Sequence, residues 1–307
     1  MTSEQSPDSD ILHPKSFLWT HTERQAAIPL IDMAFEEDFG DAGDLTSQSV
    51  IPEDLTGQAV FVVRQPGVIA GLPLLELLFS RLDVRVEVDI IEEDGASVQP
   101  GTQVAKISGP MRSLLTGERT ALNFLQRLSG IASLTRTFAD ARGQTKADIL
   151  DTRKTTPGWR ILEKYAVRCG GGHNHRMGLS DGILIKDNHL ACLGVTENAI
   201  SETVKLAREK NGDSVPIELE IDELDQLDEA LAAGPDIILL DNMSNDEMRE
   251  AVQRRDVSGQ KILLEASGGI TLERIPGIAA TGVERISVGG LTHSAKALDI
   301  GLDYVRS

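Results

Sequence analysis

The chain has 307 residues, enough for one large domain and a smaller one. With 48 acidic residues against 30 basic ones its net charge is −18, a balance that repels nucleic acid and anionic membrane surfaces. Two cysteines, Cys169 and Cys192, exclude a disulfide framework and lack zinc spacing, while the polar start and the absence of a long apolar run argue against a signal peptide or membrane span. The cytoplasm is the expected compartment.

Residues 1–25 carry few apolar anchors and are expected to be a flexible tail or short lead-in helix. Ile28, Leu30, Ile31, Ala34 and Phe35 then recur at helical spacing, and 36–45 (EEDFGDAGDL) reads as a loop. Strands are expected at Gln58–Arg64 and Gly67–Ala70 around the Pro66-Gly67 turn, then a helix at Leu72–Leu82. Val84, Val86, Val88 and Ile90 alternate with polar residues as a half-buried strand, and Thr102–Ile107 is another. One long helix follows, from Ser113 to about Arg142, its apolar face marked by Leu114, Leu122, Leu125, Ile131 and Phe138. Residues 26–142 thus form a first domain with a connecting helix.

From residue 143 to 290 short apolar runs alternate with helical segments: Asp148–Asp151, Gly182–Ile185, Ile217–Ile221, Asp236–Leu240, Lys261–Leu264 and Arg285–Val288. Intervals of this size leave room for crossover helices, so the sheet is expected to be parallel. Six such units point to a closed or nearly closed barrel; an open doubly wound sheet is the alternative.

Chemistry gathers where each run stops. Thr152, Arg153, Lys154 and Thr155 follow the first and Lys186 the second; Glu220 ends the third and Asp241 follows the fourth. Ser267-Gly268-Gly269 follows the fifth, and Gly289-Gly290 the sixth after Val288. In parallel α/β folds these C-terminal strand ends carry the site. Between Lys146 and Leu190 there are eight Lys and Arg against five Asp and Glu, the reverse of the whole chain. Arg153, Lys154, His175, Arg176 and Lys186 are therefore expected to form an anion pocket, since guanidinium forks and ammonium groups bind carboxylates and phosphates. Arg160, Lys164 and Arg168 fall on the helix between, where a solvated helix face is at least as plausible as function. Late glycines let backbone N–H groups close on a phosphate, or simply make turns. Glu220 and Asp241 suit Mg²⁺ held through carboxylates, water and substrate phosphates, or else only balance the cations. His173 and His175 lack the further ligands a zinc site needs.

Three segments, 151–158 (DTRKTTPG), 171–176 (GGHNHR) and 184–189 (LIKDNH), closely resemble the quinolinate phosphoribosyltransferase family. So do 118–124 (ERTALNF), Glu218-Leu219-Glu220, Leu240-Asp241-Asn242 and 265–270 (EASGGI), and the resemblance runs from about residue 28 to the end. It implies an α/β protein with an N-terminal open sandwich domain and a C-terminal six-stranded α/β barrel, the type II phosphoribosyltransferase architecture. Residues 291–307 would be a helical segment packing back on the first domain. It further implies a homodimer whose N-terminal domains cover the partner's barrel mouth. Arg119 would then reach the partner's site and contact quinolinate. Arg153, Lys154, His175, Arg176 and Lys186, with Thr155 beside them, would bind quinolinate carboxylates, the lysines also lying near the phosphoribosyl donor. Lys154, Lys186, Glu220 and Asp241 would be catalytic, the two acids at the ribose and at Mg²⁺-pyrophosphate. Ser267, Gly268, Gly269, Val288, Gly289 and Gly290 would hold the 5′-phosphate. The implied reaction moves phosphoribosyl from phosphoribosyl pyrophosphate (PRPP) to quinolinate with decarboxylation, using Mg²⁺ and neither nucleic acid nor membrane. A paralogue with another acceptor, a barrel lyase or isomerase of sugar phosphates, and a non-catalytic anion binder are the rivals.

Overall fold

The computed structural model describes residues 19–193 and 198–305. Helix α1 (His21–Phe39) opens at a capping box, where Thr20 and Glu23 satisfy each other's backbone N–H groups. Part of the expected tail, 21–25, is therefore helical, and residues 1–18 lie outside the described residues. The acidic stretch 36–45 is likewise split. Glu36 to Phe39 complete α1, and Asp44 caps a short α2 (Leu45–Val50) by accepting the Ser47 N–H.

The first domain continues with β1 (Thr56–Val63), β2 (Gly67–Val68), α3 (Pro73–Leu82), β3 (Glu87–Ile90), β4 (Ser97–Val98) and β5 (Gln103–Pro110). The run expected from Val84 begins only at Glu87, because a turn bonds the Val86 N–H to Asp83 O. Helix α4 (Met111–Ala141) leads into the second domain, burying Leu114, Leu125 and Leu128 completely. Each such leucine contributes about 1.5–3 kcal/mol by leaving water. Phe124 of this helix stacks on Trp159, with ring centroids 4.7 Å apart.

Six parallel units follow: β6 (Asp148–Leu150) with α5 (Arg160–Cys169); β7 (Ile183–Ile185) with α6 (Asp187–Leu193) and α7 (Ala199–Asn211); β8 (Ile217–Ile221) with α8 (Leu227–Ala233); β9 (Ile237–Asp241) with α9 (Asn245–Ser258); β10 (Leu263–Ser267) with α10 (Ile275–Ala279); β11 (Arg285–Ser287) with α11 (Gly290–His293). Their order is β6-β11-β10-β9-β8-β7, parallel throughout. A doubly wound sheet grows outward from its middle. Here the first strand joins the last and the rest follow in sequence, which is the order of a barrel. The seam between β6 and β7 is occupied by the segment at His173, which bridges Leu150 in parallel.

The tail corrects an expectation. The helical segment expected over 291–307 is confined to the short α11, and beyond it the chain forms β12 (Ile300–Val305). It pairs antiparallel with β1, giving a sheet of order β12-β1-β5-β3. Ile300 and Leu302 are buried while Asp303 and Val305 are exposed, the alternation of an edge strand with one covered face.

Candidate active site

Along barrel strands alternate residues face inward. That period sends Glu218 and Glu220, Leu239 and Asp241, Glu265 and Ser267, and Arg285 and Ser287 toward the axis. The later residue of each pair reaches a cleft of about 300 Å³ at the C-terminal strand ends. Thr152, Arg153, Lys154, His175, Arg176, Leu184, Lys186, Leu239 and Gly268 also line it. All five expected cations and both expected acids thus meet in one place. Larger hollows exist elsewhere; in the one between α8 and α9 the charged residues largely pair with one another.

The cationic loop after β6 is fixed from below. Glu163 of α5 is fully buried, accepts the Thr156 N–H at 3.0 Å, and pairs with Arg127 of α4 at 2.6 Å. Thr155 is occupied structurally, its hydroxyl accepting from Arg160 at 3.1 Å. Arg153 is exposed and lies near Arg176, whose pKa is lowered by burial and by that second cation. Lys186 pairs with Glu220 across the cleft. Asp241 accepts a hydrogen bond from Asn242 at 2.7 Å.

The helix between these segments differs from its expected character. Lys164 is fully buried and pairs with Asp151, also fully buried. Asp151 in addition accepts the His175 N–H at 2.9 Å and the Asn174 side-chain amide at 2.5 Å, while Lys164 donates to His175 O at 2.9 Å. Arg168 binds Asn174 at 2.8 Å and Glu23 of α1 at 2.7 Å. Arg160 donates to Met177 O at 3.1 Å. None of the three is merely a solvated face; together they set the loop that carries His175 and Arg176.

A buried polar group lies beneath the cleft. His175 Nε2 stands 3.0 Å from Glu218 and 3.3 Å from Glu265, and Glu265 pairs with Arg285 at 2.7 Å. Burial disfavours the imidazolium, but the two carboxylates outweigh it and raise His175 to about 9. Against that, His175 Nδ1 accepts the Arg176 N–H at 2.8 Å, a bond that a doubly protonated ring must give up. Burial and the charge of Glu265 push the Glu218 carboxyl up. Burial also acts on Glu265, yet His175 and Arg285 hold it low. The grouping also has a metal-like donor set, and in it Glu218 Oε1 and Glu265 Oε1 are buried without a hydrogen-bond partner among the described residues. Glu218, Glu265 and Arg285 fall outside the set expected from sequence; charges two positions before a strand-end polar residue are the signal that points to them.

The phosphate candidates divide. Ser267 and Gly268 line the cleft; Gly269 follows in the same turn. Gly289 packs so closely on Lys154 that a Cβ would lie 2.8 Å from its Cδ. Gly290 begins α11. Val288 does not suit the assigned role: its N–H is donated to Leu150 O at 2.8 Å and its side chain is 2% exposed, within the core. Ser287, the residue before it, faces the cleft instead. Arg119 is exposed on α4 and lines a separate hollow with Glu37, Asp38, Asn123 and Trp159. Its neighbour Glu118 accepts the Tyr304 hydroxyl at 2.8 Å rather than pairing with it.

Two family descriptions match this chain: the quinolinate phosphoribosyl transferase N-terminal domain over residues 44–129 and C-terminal domain over 131–303. A protein of Bacillus subtilis (strain 168) named probable nicotinate-nucleotide pyrophosphorylase [carboxylating] is 47% identical, the match covering 91% of this chain and 93% of that one. The nicotinate-nucleotide pyrophosphorylase [carboxylating] of Mycobacterium leprae (strain TN) is 46% identical over 92% and 98%. Among solved structures, the nicotinate-nucleotide pyrophosphorylase from Francisella tularensis is similar with a TM-score of 0.84 and 37% identity, covering 92% of this chain and 97% of that one.

Proposed function

The chain belongs to the quinolinate phosphoribosyltransferase family, and on that basis we propose that its cleft joins quinolinate to the phosphoribosyl group of PRPP, releasing pyrophosphate and CO₂ and leaving nicotinate mononucleotide. The observation that carries this reading is the meeting of four Lys and Arg side chains, His175 and two acids in one cleft of an otherwise acidic protein. A dicarboxylate and a pyrophosphorylated sugar both need such a basic patch, and neither needs it elsewhere.

Arg153, Lys154, Arg176 and Lys186 bind and orient the anions, while His175, whose two ring nitrogens face Glu218 and the Arg176 N–H, steadies the loop that carries Arg176. The guanidinium groups fork onto carboxylates, and the closeness of Arg153 to Arg176 is relieved by a bound anion. As pyrophosphate departs, positive charge develops at C1′, and Glu220 is the carboxylate that stabilises it. Substrate binding draws Lys186 away from Glu220 toward the anions, freeing the acid for this role. Attack by the ring nitrogen makes a pyridinium. The adjacent N⁺ then stabilises the ring carbanion left by CO₂, which takes up one proton. Decarboxylation thus follows transfer and needs electrostatic help rather than a cofactor of its own.

Mg²⁺ fits the donor set: Asp241 lines the cleft and, among the described residues, is paired with no cation, and hard cations prefer ionised oxygen. Bound with PRPP, it would neutralise charge on the departing pyrophosphate, with Asp241 and Glu220 holding it directly or through water. Asp241→Asn keeps an oxygen for Asn242 but loses the ionised one. It should weaken Mg²⁺-PRPP binding by at least about tenfold, the lower end of what a metal's outer partners cost, and leave quinolinate binding largely intact. Equal losses for both ligands in calorimetry would make Asp241 a charge-balancing residue only.

The functional unit is a homodimer in which Arg119 completes the partner's cleft. No helix among the described residues is long and apolar enough to cross a membrane, and composition favours the cytoplasm. Product analysis tests the activity itself. Quinolinate, PRPP and Mg²⁺ should yield nicotinate mononucleotide by NMR, with CO₂ and pyrophosphate. If nicotinate is accepted as readily as quinolinate, the carboxylating assignment is wrong.

A further inference from the structure

We propose that Asn242 is a positioning residue that holds the Asp241 carboxylate and the Ser267-Gly268-Gly269 turn in one arrangement, so that the two phosphorylated ends of PRPP are recognised together. The inference rests on the functional reading above and names a device within the same cleft.

Among the described residues Asn242 is the only non-glycine with a left-handed backbone, at φ 57°. Asn enters this region more readily than most residues, but still at a cost. What the conformation achieves is local. It turns the carboxamide back so that Nδ2 donates to Asp241 Oδ2 at 2.7 Å. The Asn242 N–H meanwhile donates to Ser267 O at 3.0 Å, tying the end of β9 to the end of β10.

The opposite side of Asn242 meets Gly268. A Cβ on Gly268 would fall 2.5 Å from Asn242 Cγ and 2.7 Å from its backbone nitrogen, so the turn after β10 is shaped against this side chain. Gly268 and Gly269 both have positive φ, at 85° and 55°. Arg274 closes the unit: it donates to Gly269 O at 3.0 Å and to Met243 O at 3.3 Å, bridging the same two loops. The acid assigned to Mg²⁺-pyrophosphate and the turn assigned to the 5′-phosphate are thereby joined through one residue, its carboxamide bonded to Asp241 and packed on Gly268 and its backbone N–H bonded to Ser267.

A plain turn residue in a left-handed position is replaced by glycine without loss. A positioning residue is not, which separates the two roles. Asn242→Gly keeps the backbone and removes the carboxamide. Asn242→Asp keeps the shape but sets a second carboxylate beside Asp241. The readouts are melting temperature, calorimetric affinity for pyrophosphate with Mg²⁺ and for quinolinate, and KM for each substrate. Asn242→Gly should melt with the wild type, lose about 10–100-fold in Mg²⁺-pyrophosphate affinity and in KM for PRPP, as loss of an outer-shell partner does, and bind quinolinate normally. Asn242→Asp should lose at least as much. Wild-type pyrophosphate affinity in Asn242→Gly, or equal weakening of both ligands, overturns the inference while the family activity stands. A wild-type protein that turns over neither substrate overturns the functional reading, and the inference with it.

Discussion

Arg119→Ala should leave a folded dimer that has lost most of its affinity for quinolinate, and mixing it with Lys186→Ala should bring activity back. Within its own chain Arg119 has no evident role. It is exposed, pairs with no residue among those described, and lines a hollow that shares no residue with the barrel cleft. The salt bridge to Glu118 that would explain it locally is absent, because Glu118 serves Tyr304. A helix-face charge is worth about 0–1 kcal/mol. A charged hydrogen bond to a buried anion is worth more, on the order of 2–5 kcal/mol when one partner is truncated. Calorimetry with quinolinate distinguishes these magnitudes. The mixing experiment tests the geometry. In a heterodimer of Arg119→Ala with Lys186→Ala, one site combines an intact barrel with an intact Arg119, and the other carries both lesions. Subunit exchange is established first, by mass spectrometry of differently tagged chains. Exchanged heterodimers as inactive as their parents would mean that the sites are not shared.

Lys164→Met should destabilise the protein by about 3–5 kcal/mol, because it leaves Asp151 as an uncompensated charge in the interior. Both side chains are fully buried. Burial raises the Asp151 pKa and lowers that of Lys164, each opposed by the other's charge. The double variant Lys164→Met with Asp151→Asn should recover part of the stability, since the charge is then gone and an amide remains to meet Asn174 and the His175 N–H. Urea denaturation measures both. Quinolinate affinity should fall in the single variant as well, because Asp151 and Lys164 together hold the backbone of His175. A stability change under about 1 kcal/mol, the range of exposed pairs, would show that the pair does not anchor this loop.

What the sequence alone determined about this protein was local chemistry and local periodicity. Helical periodicity marks α3 and α4, and short apolar runs bounded by polar or turn residues mark β1 and the barrel strands, most of whose residues are buried on both faces. The site was legible for the same reason: Arg153, Lys154, Lys186, Glu220, Asp241 and the glycine pairs stand at strand ends, and parallel strands bring such ends to one rim. Tertiary structure decided whatever depends on residues distant in the chain. Strand order settled barrel against open sheet, and pairing with β1 made a strand of part of the tail that the family resemblance implied to be a helical segment. Lys164 resembles a surface charge until α5 packs it against Asp151. Glu218, Glu265 and Arg285 become a buried layer beneath His175 only when three strands place them together. Val288 leaves the phosphate set because Leu150, far away in sequence, takes its N–H. In each case a non-local contact outweighs the local preference, since burial and hydrogen-bond satisfaction belong to the assembled fold rather than to any one segment.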